Sequence, residues 1–166
     1  HGQIRVLESA VLTTHSSSTG STVVAEDKPE RVDTIQLYSP HAGVLIFSTG
    51  SLNQLPVAFE ALFADERIAL VGVNVNGDGA RLARDFKCTV NGLLNVALRK
   101  AKTSMEDLAA AVCPREFRVK KDSIESKVRL SNWAQWPLTE LQLKYASLDA
   151  VLSFAIFFFQ QFDRNK

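Results

Sequence analysis

A mixed α/β fold in layers is expected, on three observations. Short apolar runs bounded by turn residues read as strands, segments with apolar residues at helical spacing follow them, and the chain closes on a strongly marked helix start. The 166 residues suit one compact domain, large enough to bury a core without disulfide or structural metal. Residues 22–166 read as that domain, and residues 1–21 as a separate, poorly defined N-terminal segment. Ile4 to Leu7 and Ala10 to Thr13 could be short strands there. His15 to Ser21 reads as a flexible polar stretch.

In the domain, Thr22 to Ala25 looks like the opening of a strand. Asp33 to Tyr38 alternates polar and apolar, and Val44 to Phe47 is fully apolar. With Ser39-Pro40-His41-Ala42-Gly43 as the turn, the two make a hairpin. Pro56 suits the first turn of a helix carrying Leu55, Phe59, Leu62 and Phe63. Ile68 to Val73 reads as a buried strand leading through Asn74 to Gly77 into Asp78, with a helix over Ala80 to Phe86. Asp85 reads as a surface residue. Leu93 to Ala101 is expected to be helical. Ser104 to Asp107 resembles a capping box, and Pro114 ends the helix it starts. Residues 115–128, rich in charge, read as a loop. Thr139-Glu140-Leu141-Gln142 is a capping box opening a long helix to about residue 162.

Apolar residues make up 46% and charged residues 22%, ordinary for a globular protein. A formal net charge of +1 argues neither for nor against nucleic acid, which needs local rather than total basicity. Cys88 and Cys113 are far apart and form no CxxC pair, so two reduced thiols are expected rather than a zinc site. Ala155 to Phe159 is too short to span a bilayer, and no secretory signal is evident at the N-terminus. Phe154, Phe157 and Phe158 read as core or interface. Trp133 and Trp136 read as packing under the last helix. His1, His15 and His41 receive no role.

Chemistry concentrates in two places. Tyr145 and Asp149 lie four apart on the capped helix and so share a face. A carboxylate can hold a hard cation, and a phenol can orient an attacking water. Asp78 follows a Gly after a strand, a position where an Asp suits a helix N-cap.

Three segments carry a resemblance. Arg129 to Ala150 contains Leu130-Ser131-Asn132-Trp133, then Trp136-Pro137-Leu138-Thr139, then Tyr145-Ala146-Ser147-Leu148-Asp149-Ala150. Gly77-Asp78 is followed by Leu82-Ala83-Arg84-Asp85-Phe86. Ile35-Gln36-Leu37 and Leu45-Ile46-Phe47 agree less specifically. Together, over residues 22–163, they resemble the Werner-type 3′–5′ exonuclease domains of the DEDD superfamily, tyrosine branch. The resemblance implies a ribonuclease-H-like fold, a mixed five-stranded sheet flanked by helices. It also implies two divalent ions, Mg²⁺ or Mn²⁺, at Asp78, Asp149 and a first acidic motif, with Tyr145 orienting water.

That first motif departs from the pattern. Val23-Val24-Ala25-Glu26-Asp27-Lys28-Pro29-Glu30 has no Asp-x-Glu. Glu26 or Asp27, with Asp27 as metal ligand, would have to complete the set, or Glu30 if the loop bends back. Another alternative puts Leu7-Glu8 in the first strand, with residues 9–32 inserted. Three readings stay open: an active exonuclease, a weak or inactive relative that still binds nucleic acid, and a scaffold for a protein partner. Lys120, Lys121, Lys127 and Arg129 would contact phosphates; each alone also fits a solvated loop. By family analogy the substrates are DNA or RNA 3′ ends, the setting DNA repair in nucleus or cytoplasm, and a helicase the partner; no membrane is expected.

Overall fold

The computed structural model describes residues 9–16, 31–96, 105–115 and 125–163. Its centre is a five-stranded sheet in the order β3-β2-β1-β4-β5. The middle strand, β1 (Ser9–His15), pairs antiparallel with β2 (Thr34–Ser39) and parallel with β4 (Ala69–Gly72). The sheet therefore begins at Ser9, inside the segment set apart above, rather than at Thr22. The proposed opening strand at Thr22 to Ala25 lies outside the described residues.

β2 and β3 (Gly43–Ser48) form the expected hairpin, with Ile35 opposite Phe47 and Leu37 opposite Leu45. After β3 come α1 (Val57–Ala64), β4, α2 (Val75–Phe86) and β5 (Leu93–Asn95), the last parallel to β4. α3 (Met105–Val112), the single-turn α4 (Glu125–Arg129) and α5 (Glu140–Asp163) follow among the described residues.

Successive strand residues face opposite layers, because side chains alternate across a sheet. Leu70 joins Leu12, Ile35, Phe63, Leu82 and Phe86 in the core under α1 and α2. Its neighbour Val71 joins Leu108, Ala150, Ile156 and Phe157 under α3 and α5. α5 is long and apolar enough to cross a membrane by length and composition, but 56% of that stretch is buried inside the fold. Its apolar content thus serves the core. Phe157 is buried, whereas Phe154 meets Tyr38 edge-on at 5.2 Å and Phe158 is partly exposed.

The start of α5 behaves as its sequence dictates. The Gln142 N–H donates to Thr139 Oγ1 at 3.2 Å, and the Thr139 N–H donates back to Gln142 Oε1 at 2.9 Å. Gln142 Nε2 also donates to Ser131 Oγ and the Asn132 carbonyl, at 3.0 and 2.9 Å. One buried amide therefore caps the helix and pins the loop before it. Gln142→Ala should lower stability by about 2 kcal/mol, from the lost cap and the stranded partners. Urea unfolding measures this, and a loss under about 0.5 kcal/mol, ordinary for a surface change, would contradict it.

Five local expectations are corrected. Leu93 to Asn95 form a strand instead of a helix, entered through Gly92 at φ +67°, where a Cβ would collide with the Ile68 carbonyl. α2 begins at Val75, a turn and a half before Ala80, with Asn74 as N-cap. Gly79, a weak helix former, is tolerated within it because Leu93 packs where its Cβ would be. Asp85 is no surface group: its side chain is 8% exposed, and its Oδ2 accepts the Val32 N–H at 2.8 Å. Trp136 is 61% exposed, so of the two tryptophans Trp133 is the one packed beneath α5. Finally, the expected loop over 115–128 ends in α4, while residues 116–124 lie outside the described residues.

Candidate active site

A cavity of about 310 Å³ opens where β1 and β4 end and α2 begins, against α5. Asp78, Tyr145 and Asp149 all line it, although α2 and α5 are far apart in sequence. All three side chains are largely buried, at 5%, 8% and 5% exposure.

Asp78 projects from the first turn of α2 and is not its N-cap. Its Oδ1 accepts the Thr14 hydroxyl of β1 at 2.7 Å and an Arg81 Nη2–H at 3.2 Å. Burial pushes its carboxyl up to about 6, against the lowering pull of the Thr14 bond and the Arg81 charge.

Asp149 faces the end of β1 instead. Its Oδ2 lies 3.7 Å from His15 Nε2. The His15 ring stacks on Trp133 with centroids 4.1 Å apart and planes 13° apart, and it meets Tyr145 at 5.4 Å. Trp133 Nε1–H donates to the Arg129 carbonyl at 3.1 Å, which ties α4 to this floor. Arg129 lines the cavity, whereas Lys127, exposed on the same turn, does not.

The sequence pattern thus brings Asp78, Tyr145, Asp149 and Arg129 together. Glu26, Asp27, Glu30, Lys120 and Lys121 lie outside the described residues. The central strand, where the resemblance places Asp-x-Glu, carries Thr13, Thr14 and His15 at the cavity. The alternative of an insertion over 9–32 is corrected too, since Ser9 to His15 are themselves the strand. Thr14, His15 and Arg81 were not anticipated. The continuous run Ala10-Val11-Leu12-Thr13-Thr14 was the available signal: apolar and β-branched, it suits a strand that delivers His15 at its end.

Asp78 and Asp149 are the oxygen donors that a hard divalent cation takes. The donor set fits such an ion in chemical type. It is short in number: among the described residues no three of His, Cys, Asp and Glu gather closely enough to hold an ion. Of the described residues flanking segment 17–30 in sequence, Ser16 lines the cavity and the Asp33 N–H donates to the His15 carbonyl at 2.9 Å.

Comparison with known proteins agrees with the geometry. A family model described as 3′–5′ exonuclease matches residues 25–161. The 3′–5′ exonuclease of Drosophila ananassae is 31% identical over 141 residues, covering 78% of this chain and 38% of that protein. The bifunctional 3′–5′ exonuclease/ATP-dependent helicase WRN of Mus musculus is 30% identical over 137 residues, covering 78% of this chain and 9% of that protein. The chain therefore spans well under half the length of these curated relatives. Among solved structures, Brucella melitensis NrnC superposes with a TM-score of 0.74 at 14% identity, over 95% of this chain and 74% of that one. NrnC has also been solved bound to pGG and with bound Mg²⁺. Trypanosoma brucei RNase D, solved in complex with RNA U12, gives 0.72 at 18% identity, over 91% of this chain and 54% of that one.

Proposed function

The chain belongs to the 3′–5′ exonuclease domain family, with its ribonuclease-H-like fold, and from that premise we propose that its cavity hydrolyses the terminal phosphodiester at the 3′ end of a nucleic-acid strand. One observation carries the reading: Asp78, Tyr145 and Asp149, from two distant helices, line a single cavity.

Exonucleases of this family are divalent-metal dependent, and we take Mg²⁺ or Mn²⁺ as the ion here. Asp78 and Asp149 would hold it, and Glu26 or Asp27 would complete the set: the segment carrying them follows Ser16, which lines the cavity, in sequence. Bound there, the ion would supply positive charge to the developing oxyanion and lower the pKa of water. The remaining work falls to the chain. Tyr145, four residues before Asp149 on one helix face, holds the attacking water through its hydroxyl. Arg129 draws the backbone phosphate to the mouth of the cavity. Trp133 and His15 give the floor a rigid, largely dry wall. Water oxygen bonds to phosphorus, the bond from phosphorus to the 3′ oxygen breaks, and that oxygen leaves with a proton. A nucleoside 5′-monophosphate and a strand shortened by one unit result.

DNA or RNA 3′ ends are the substrates, and the helicase half of the mouse relative suggests a helicase as partner. The work lies inside the cell, in nucleus or cytoplasm, by family analogy. The test is incubation of a 5′-labelled duplex with a recessed 3′ end in Mg²⁺ or Mn²⁺, beside an Asp149→Ala control. A ladder shortening from the 3′ end, absent in the control, is expected. Salt-sensitive binding without a ladder would reduce the domain to a nucleic-acid binder, and neither result would leave a scaffold.

A further inference from the structure

We infer that Arg81 is a phosphate-binding residue of this cavity, gripping the non-bridging oxygens of the nucleic-acid backbone without a metal ion. This rests on reading the cavity as a nucleic-acid site. No motif of the resemblance includes Arg81; its role comes from its position. Three residues beyond Asp78 on α2, it turns its guanidinium into the cavity wall, where Nη2 meets Asp78 Oδ1 at 3.2 Å. Nε reaches the Gly77 carbonyl only at 3.5 Å, a long and weak contact. A guanidinium carries five N–H donors in a planar fork. Much of Arg81's fork is therefore open toward a cavity from which its side chain is 36% exposed.

The pair joins a guanidinium that is 36% exposed to a carboxylate that is 8% exposed, so Arg81 offsets part of the cost of burying Asp78. The charge balance of the cavity gives it a further use. Among the described residues, the cavity sets two carboxylates, Asp78 and Asp149, against two guanidiniums, Arg81 and Arg129. The central strand adds hydroxyls and an imidazole there, with no acid. A phosphodiester approaching this wall meets compensating positive charge before any ion is bound. Arginine suits the task because its fork matches two phosphate oxygens at once, which a lysine ammonium does not.

The test is fluorescence anisotropy of a 5′-fluorescein-labelled single-stranded oligothymidylate in EDTA, across a salt series. Arg81→Gln should weaken binding about tenfold, the value of one charged contact. It should also flatten the slope of log affinity against log salt by about 0.7, one phosphate contact on a single strand. Arg81→Lys should restore the slope but only part of the affinity. Arg67→Gln, which removes an exposed arginine paired with Asp65 away from the cavity, should leave both unchanged. Circular dichroism melts check that each variant is folded. Wild-type affinity and slope in Arg81→Gln would overturn the inference. So would a wild-type chain that fails to bind in EDTA; if it still trims 3′ ends with Mn²⁺, the exonuclease reading survives that failure.

Discussion

Asp78→Asn should abolish 3′-end hydrolysis while making the metal-free chain more stable. Asp78 is buried beside one hydroxyl and one partly exposed guanidinium, and its carboxyl sits near 6 instead of the ordinary 3.8. The folded state thus holds a proton more tightly than the unfolded chain. Between about 4 and 6 the folded form binds more protons, so stability falls as pH rises through that window. Fully ionised, the group costs the fold about 3 kcal/mol, with the offset from Thr14 and Arg81 already included. Asparagine keeps an oxygen to accept from Thr14 and Arg81 and removes the charge. At neutral pH the variant should melt several degrees higher, since about 1 kcal/mol is worth ~2–4 °C at this size. Below about pH 4, where aspartate is neutral in both states, the advantage should vanish. Hydrolysis should fall at least about a hundredfold, as when one element of electrostatic stabilisation is removed. Melting curves in EDTA at several pH values, beside the ladder assay, measure both effects. An Asp78→Asn chain that is less stable at pH 7 than at pH 4, relative to wild type, would mean that burial does not strain this carboxylate.

What was readable from sequence follows from how local each signal is. Tyr145 and Asp149 were legible because local rules place them, and Asp78 because the Gly-Asp pattern resembles a known motif. A capping box fixed the register of α5, and i,i+4 spacing put Tyr145 and Asp149 on one face. The hairpin of β2 and β3 was legible for the same reason: alternation and a Pro-to-Gly turn are local. β1 was legible only as a possible short strand over Ala10 to Thr13, set outside the domain. Its central place depends on partners 19 to 27 residues away in β2 and 60 away in β4, and His15 at its end reads with the polar stretch that follows. β5 spans three residues, too few for periodicity to separate strand from helix. Arg81 and Asp85 look like solvated charges on a helix until the fold sets Asp78 and the Val32 N–H beside them. The missing acidic pair was legible as a departure, but which groups stand at the central strand in its place emerged only from the sheet order.

Trp133 is where the fold and the site depend on one side chain. It is fully buried among Val128, Leu138, Tyr145 and Ala146. On one side it stacks on His15, and on another its Nε1–H holds the Arg129 carbonyl. Trp133→Ala should cost about 3–5 kcal/mol, the range for emptying a large aromatic site. That is a large share of the ~5–15 kcal/mol that holds an average domain together. The cavity should suffer beyond the global loss. The His15 ring would lose the surface that keeps it beside Asp149, α4 would lose its tie to the floor, and Arg129 would no longer be held at the mouth. Trp133→Phe separates the two effects, since it keeps most of the packing but cannot donate to Arg129. It should retain most of the stability yet bind the oligothymidylate more weakly than wild type. Urea unfolding and anisotropy on the same samples decide the matter: if Trp133→Phe loses stability and binding in equal proportion, Trp133 acts as core alone, and the placement of Arg129 owes nothing to its indole N–H.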